Sequence, residues 1–516
     1  MTSKKETSRR VPRPATYARI GLLVLLALGI WYLYAVEVNV VRGSNVRDLP
    51  ASIWAAVFGW IACFLMSFQI GLGTRNKFLD KLIGLDKMWF VHRVLPPLII
   101  ALVILHAVYR ARGREAQIRT PNFSYIEEVF EVKYPTLPTS GVPDANYDRA
   151  MRKINGQFSM HAMIVLSIIS YLRHLPGKPY FVGKRKGLVP WWIWRPAHML
   201  FYYAIALMIG HIRIAGNTTN VDTKWTLLGS RQSVYYTLIA TIVYFGAKRV
   251  FDIFTKLRQG NLFTIISTEK ISNRVTRVLM TPADGNTQVS YNAGQFVVIN
   301  KPSKFPLLST PHPLSLASAP NSFVHELIIG GCSNIGKAAL NWKPGQAIRV
   351  DGYFGIFGQG FLLNESVALF AGGCGVAPCL SLLRHLEELA ARNSTSEEKV
   401  HIPKIGLIFG AKDVYELKPT MNTILSLMKY AEQGIVDLKV RLLVDDPIDM
   451  DCKMPAEFID LIRQGYMNRD DVEYVCPAGN TGNYICGPKP MVNAVKKHLK
   501  KLGVSKMDIM NENFLM

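Results

Sequence analysis

Four histidines in two apolar stretches carry the first chemical signal: His92 and His106 in one, His198 and His211 in the other. The second histidine follows the first by fourteen positions in one stretch and by thirteen in the other. On helices rising about 1.5 Å per residue, each pair is separated by about 20 Å, most of a hydrocarbon core about 30 Å thick. Ionisable side chains within a membrane are costly and usually functional. Two such helices side by side would set facing imidazoles at two depths, and facing imidazoles are what a six-coordinate haem iron needs. For a single histidine, a satisfied interhelical hydrogen bond is the plain alternative. Two matched pairs point to two stacked haems.

Helical phase bears on this reading. At about 100° per residue, the longer offset returns His106 to within roughly 40° of His92, while the shorter leaves His211 roughly 140° from His198. A kink or bulge in the second helix would bring both rings to one partner. The first helix has its own kink candidate in Pro96-Pro97. His161 and His174 repeat the shorter offset on another apolar stretch. That helix would run the opposite way, which fits helix-end or proton-handling roles better than ligation.

These elements sit in a chain of 516 residues that is 49% hydrophobic, with the apolar content concentrated in its first half. The net charge of +23 is spread beside apolar segments and does not form one face, so nucleic acid is not the expected partner; a lipid bilayer is. The seven cysteines show no CxxC spacing, and all but Cys63 follow residue 330, which predicts free thiols in cytosol. A basic tail over 1–19 precedes apolar segments at Ile20–Val36, Ile53–Ile70, Met88–Tyr109, Phe158–Tyr171, Trp191–Ile212 and Val234–Phe245. These predict a six-helix α transmembrane bundle over 20–250. Lys and Arg in the tail, in 74–87, in 173–186 and in 248–258 place both termini in the cytosol. The expected protein is therefore integral and multi-pass, in a plasma or organelle membrane. His92 would face His198 near the cytosol, and His106 would face His211 near the outer side.

From Asn261 the pattern turns to strands, with β-branched or alternating runs at Phe263–Ser267, Arg274–Met280 and Gln295–Ile299. The segment His312-Pro313-Leu314-Ser315 reads as extended backbone able to lie along a flat flavin, or as an ordinary barrel loop. Further on, Val367–Ala371 leads into Gly372, Gly373, Gly375 and Pro378 and then a helix. A strand, a glycine turn and a helix N-terminus form a pyrophosphate seat. Strands at Ile405–Phe409, Leu438–Val444 and Asn483–Ile485, the last followed by Cys486-Gly487-Pro488, predict a parallel nucleotide-binding sheet. The expected architecture is multi-domain: the bundle, an antiparallel β-barrel FAD domain over 260–362, and an α/β parallel-sheet NAD(P)H domain over 365–516.

Taken together, the ordered motifs resemble the transmembrane ferric reductases and NADPH oxidases, a di-haem six-helix domain fused to a ferredoxin-reductase-like module. HPLSLASAP is similar to that family's flavin segment, Ala293-Gly294-Gln295-Phe296 to its Gly-Gln strand, and GGCGVAP to its nucleotide turn. The resemblance implies that His312, Pro313, Leu314 and Ser315 contact FAD, with Ser315 near flavin N5. It implies that Gly372, Gly373, Gly375, Pro378, Gly487 and Pro488 seat the nucleotide, that Cys486 lies near the nicotinamide, and that Phe514 covers the flavin. Lys412 stands where a 2′-phosphate contact could lie, which with the resemblance favours NADPH, with NADH possible. The chain departs from the family at Leu314, where an aromatic is usual, in the missing Gly-x-x-Thr pattern near 330–340, and in the Leu515-Met516 extension after Phe514.

The implied cofactors are FAD and two haem b, and the implied activity is electron transfer from cytosolic NAD(P)H to an acceptor on the opposite side. Ferric-chelate or cupric reduction is the leading expectation. Oxygen reduction to superoxide, as in an NADPH oxidase, is the alternative. A haem membrane subunit serving a protein partner is a third, disfavoured by a complete flavin and nucleotide module in the same chain. Nothing in the chain names accessory subunits.

Overall fold

The computed structural model describes residues 49–115, 145–174, 189, 191–217, scattered positions from 236 to 251, 261–283, 291–300, 311–331, 333–449, 452–476 and 481–512. The first expected membrane helix, the basic tail and Phe514 lie outside them. The chain divides into two compact units.

In the membrane-type unit, α1 spans Leu49–Gly73 and α3 spans Leu85–Glu115. The segments Ile53–Gly73 and Leu85–Arg112 are long and apolar enough to cross a bilayer. Pro96 and Pro97 sit inside α3 without ending it, as a membrane helix with neighbours to satisfy freed carbonyls allows. Helix α4 spans Ala145–His174. The expected fifth helix is two pieces, α5 over Trp191–Met199 and α6 over Phe201–Asn217. Pro196 lies inside α5, and at the break the Leu200 N–H donates to the Ala197 carbonyl at 3.1 Å, a tighter turn than the helix on either side. Described positions from 236 to 251 are helical. Cys63, Met66, Ile99, Met163, Ile205 and Met208 form the unit's core.

The other unit holds residues 255–516 together with 77–86. Its first sheet takes β1 Asn261–Lys270, β2 Val275–Pro282, β3 Phe296–Asn300, β4 Pro311–Ser315, β5 His325–Gly330 and β6 Ala347–Phe354. They are ordered β4-β3-β6-β1-β2-β5, and neighbouring strands pair antiparallel. Strand β6 alternates buried and half-exposed residues, the mark of a sheet with one wet face. The HPLS segment is a strand: it pairs with β3, with Ser315 opposite Phe296 and Pro313 opposite Val298.

The second sheet takes β7 Ser366–Gly372, β8 Lys404–Ala411, β9 Leu438–Val444, β10 Ile462–Gln464, β11 Thr481–Cys486 and β12 Ile509–Asn511. Its order is β10-β9-β8-β7-β11-β12, with parallel pairing throughout. Strands β7 and β11 are buried along their whole length, as sheets covered on both faces require. Helix α7, Val376–Thr395, covers one face and joins the two sheets. Its Ser381 hydroxyl donates to the Ser318 carbonyl at 2.8 Å, and its Arg384 donates to Glu326 at 2.9 Å. This unit thus pairs a six-stranded antiparallel sheet with a six-stranded parallel one.

Residues 77–86 pack into this unit through α2, Lys77–Ile83. The buried Asp80 carboxylate accepts the Gly355 N–H at 3.0 Å and the Leu85 N–H at 2.7 Å. Burial raises the Asp80 carboxyl to about 6, against the lowering effect of those two bonds. Gly84 turns the chain from α2 into α3 with φ +88°. A Cβ there would meet Asp86 and Ile356, so glycine is required twice over.

Glu326 is 4% exposed and receives both Arg277, at 2.9 Å, and Arg384. Burial alone would raise this carboxyl. The two guanidiniums outweigh it and hold Glu326 below the usual range. Its stabilising effect is therefore fully present above the ordinary glutamate range and is lost progressively as pH falls below that range and through the lowered folded value. Glu326→Gln should lower stability by about 2–3 kcal/mol at pH 7, less than a fully buried pair would because Arg277 keeps 31% of its side chain exposed. Thermal denaturation of this unit in the intact protein at pH 7 and pH 4 checks it: the gap from wild type should shrink at the lower pH.

Candidate functional site

The structure brings the four histidines together in two pairs. The ring centres of His92 and His198 are 6.1 Å apart, and those of His106 and His211 are 6.0 Å apart. The break at Leu200 lies between His198 and His211. An imidazole nitrogen sits about 2 Å from a metal it ligates and about 1.1 Å from its ring centre, so two imidazoles on one iron have centres about 6.2 Å apart. Both pairs match. Among the described residues no group of three or more His, Cys, Asp or Glu could hold a metal. Two ligands per site suit an iron whose other positions a porphyrin fills.

The ring nitrogens agree. His92 Nδ1 meets the Gln69 carbonyl at 3.0 Å, His106 Nδ1 meets Ala55 at 2.5 Å, and His211 Nδ1 meets Arg152 at 2.8 Å. A carbonyl only accepts, so each Nδ1 carries the proton and Nε2 carries the lone pair, the tautomer a metal takes. His198 Nδ1 meets the Ser170 hydroxyl at 3.1 Å, and its ring stacks on Trp194 at 4.7 Å.

A pattern not anticipated from the sequence makes these bonds possible. Four positions beyond each accepting carbonyl stands a glycine: Gly59 after Ala55, Gly73 after Gln69, and Gly156 after Arg152. A Cβ on Gly59 would lie 2.6 Å from His106 Nδ1, and one on Gly156 would lie 2.6 Å from His211 Nδ1. On Gly73 it would come within 3.2 Å of the His92 ring. Gly59 and Gly73 have the same sequence spacing as His92 and His106. Gly156 and Ser170 share that spacing on α4. The readable signal was small residues on two neighbouring helices in step with the histidines. His161 enters neither pair, and the His174 side chain lies outside the described residues.

In the other unit the motifs converge on two edges. The segment His312, Pro313 and Leu314 is half-buried along β4, and Ser315 is buried at its end. The Ser315 hydroxyl donates to the buried Glu512 at 3.1 Å. Sequence reasoning missed Glu512. It stands close before Phe514 and next to β12, so only the fold shows that its carboxylate reaches the HPLS strand.

At the second edge, β7 and β11 are neighbours, with Cys486 opposite Ala371. The glycine turns that follow them touch. A Cβ on Gly375 would lie 2.5 Å from the Cys486 carbonyl, and one on Gly487 would lie 2.8 Å from Met491. Gly373 has φ +53° and nothing within 4 Å of where a Cβ would stand, so it opens outward beside the N-terminus of α7. Pro378, the third residue of α7, loses nothing by lacking an N–H there. Strand order reverses between β7 and β11, and in open parallel sheets such a switch point is where dinucleotides bind. Burial raises the Cys486 thiol well above its ordinary range, with Glu512 adding to the effect; it stays a neutral thiol at this edge. Lys412, at the end of β8, pairs with Asp446 at 2.7 Å.

Comparison with known proteins agrees with both halves. Residues 58–209 match the family model described as Ferric reductase like transmembrane component. The Bos taurus oxidoreductase NAD-binding domain-containing protein 1 is 24% identical over 316 residues, covering 58% of this chain and 97% of its own length. The Oceanobacillus iheyensis flavohemoprotein is 22% identical over 263 residues, covering 49% of this chain and 58% of its own length. The FAD/NAD-binding domain of a Vibrio cholerae nitric oxide dioxygenase superposes with a TM-score of 0.38 and 21% identity, covering 49% of this chain and 98% of that one. One chain thus carries a segment that matches a ferric-reductase-like transmembrane component and, beyond it, a two-sheet unit similar to oxidoreductase NAD-binding relatives.

The contact between the glycine turns makes a prediction. Gly375→Ala should destabilise the parallel-sheet unit by about 1–3 kcal/mol, because a methyl cannot share space with the Cys486 carbonyl. Denaturant unfolding of the purified protein, compared with Gly410→Ala, where a Cβ would meet nothing closer than 3.9 Å, measures it.

Proposed function

We propose that this protein carries electrons from cytosolic NAD(P)H through FAD and two b-type haems to an acceptor across the membrane, with a ferric or cupric chelate as that acceptor. The observation that carries this reading is the two imidazole pairs at 6.1 and 6.0 Å with Nδ1 tied off, in the same chain as a dinucleotide-type sheet. When bound, flavin links two-electron hydride chemistry to one-electron carriers, and the haems supply the one-electron steps.

The residues have distinct tasks. His92 and His198 would hold the haem nearer the cytosol, and His106 and His211 the outer one. Six spanning helices, both termini cytosolic, put the pairs at those depths. His312, Pro313 and Leu314 would line the flavin, with Ser315 and Glu512 at its reacting edge. Gly372, Gly373, Gly375, Pro378, Gly487 and Pro488 would admit the nucleotide. Cys486 would border the nicotinamide and Phe514 the flavin face. No acid–base group is needed between donor and acceptor; the chain supplies position, ligands and insulation. The metal acceptor draws support from the matched family. The likeness of Glu512-Asn513-Phe514 and of the histidine offsets to the oxidase branch favours oxygen instead, which makes superoxide formation the competing outcome.

Two experiments test this. Purified, FAD-loaded protein given NAD(P)H should reduce a ferric chelate without oxygen, and superoxide dismutase should leave the rate in air unchanged. Reduction that needs oxygen and is stopped by the dismutase would assign oxygen as acceptor. Second, the protein should bind two haems, and His198→Ala should bind one. Gly59→Ala should also lose one haem, since its Cβ would lie 2.6 Å from His106 Nδ1. A full two-haem spectrum in His198→Ala would refute the ligand assignment.

A further inference from the structure

The end of β8 decides which nucleotide the site accepts. In a doubly wound sheet the pyrophosphate sits at the first glycine turn, here after β7, and the adenosine ribose reaches the end of the adjacent strand. That strand is β8, ending at Gly410-Ala411-Lys412. A Cβ on Gly410 would meet nothing closer than the Ala371 carbonyl at 3.9 Å. With the open side of Gly373, the ends of β7 and β8 therefore border free space.

Lys412 is the cation at this place, and β9 delivers two carboxylates to it. Ala411 stands opposite Val444, so Asp445 and Asp446 leave β9 beside Lys412. Backbone bonds lock the arrangement: Asp445 N–H donates to the Ala411 carbonyl at 3.2 Å, and Asp446 N–H donates to the Lys412 carbonyl at 2.9 Å. The Lys412 ammonium lies 2.7 Å from Asp446 and 3.6 Å from Asp445. The Lys412 N–H donates to Glu416 at 3.1 Å, and Asp413 caps the following turn; the charge of Arg274 reaches Glu416. Two carboxylates against one ammonium leave this rim net negative. A 2′-phosphate brings about two further negative charges, whereas a free ribose diol donates hydrogen bonds to carboxylates.

We infer that the nucleotide site prefers NADH to NADPH, with Asp445 and Asp446 holding Lys412 and turning carboxylates toward the adenosine ribose. This rests on the nucleotide-site reading given above. The test uses fragments that differ only in the 2′-phosphate, 5′-AMP and 2′,5′-ADP, titrated calorimetrically into the full FAD-loaded chain. Wild type should bind 5′-AMP at least as tightly as 2′,5′-ADP. Asp445→Asn with Asp446→Asn should raise 2′,5′-ADP affinity about tenfold or more relative to 5′-AMP, as removing two like charges near a dianion requires. Lys412→Gln should lower 2′,5′-ADP affinity relative to 5′-AMP, because it removes the one ammonium that offsets the two carboxylates. Tighter binding of 2′,5′-ADP than of 5′-AMP by wild type, or an unchanged ratio in the doubly substituted Asp445→Asn, Asp446→Asn protein, would overturn the inference and leave the site intact. Binding of neither fragment would overturn the nucleotide site itself and the inference with it.

Discussion

The membrane half depends on one interaction, the bond from a histidine Nδ1–H to a helix carbonyl whose approach is cleared by glycine. A neutral imidazole in hydrocarbon needs a partner for its N–H, since an unmade hydrogen bond there is costly. The carbonyls of Ala55, Gln69 and Arg152 provide one. A helix carbonyl is already used by the N–H four positions on, so a second donor must come in past that residue's side chain. Gly59, Gly73 and Gly156 stand at those positions. The bond sets the tautomer, orients the ring and leaves Nε2 as the atom that would ligate the proposed haem iron. At the remaining position Ser170 takes the glycine's place in the spacing, and its own hydroxyl meets His198.

The soluble half is built on close backbone approach of another kind. The turns after β7 and β11 press together at Gly375, Cys486 and Gly487, while Gly373 faces outward. The same residue type packs one side of the edge and keeps the other open for a ligand. Arg384 and Ser381 of α7 fasten this sheet to the antiparallel one. Glu512 comes from beyond the last helix to reach Ser315. The proposed flavin and nucleotide edges therefore share α7 and the C-terminal segment, which places both within one packed unit.

Much of this was legible before any coordinates, because charge and apolar pattern bear directly on it. The histidines could be paired by helix direction and depth alone, and their unequal offsets called for the break found at Leu200. Long apolar β-branched runs gave β7, β8 and β9. What stayed hidden has physical reasons. The carbonyls that fix the histidines have no side-chain signature, and glycine is common in membrane helices. Strands β5 and β6 were not legible; β6 alternates weakly around Arg349, Asp351 and Gly352. The HPLS segment read equally as a loop because two prolines remove ladder donors, yet β4 is an edge strand where that loss is tolerated. Asp80 gave no sign, since a carboxylate on a basic stretch reads as solvated, whereas here it binds the Gly355 N–H 275 residues away.

The most direct test of the account is rapid anaerobic mixing of the FAD-loaded, haem-replete protein with NADH, following flavin and haem absorbance together. The account predicts that flavin bleaching is followed by reduction of both haems with no added partner. Flavin that bleaches while the haem bands stay oxidised would contradict it.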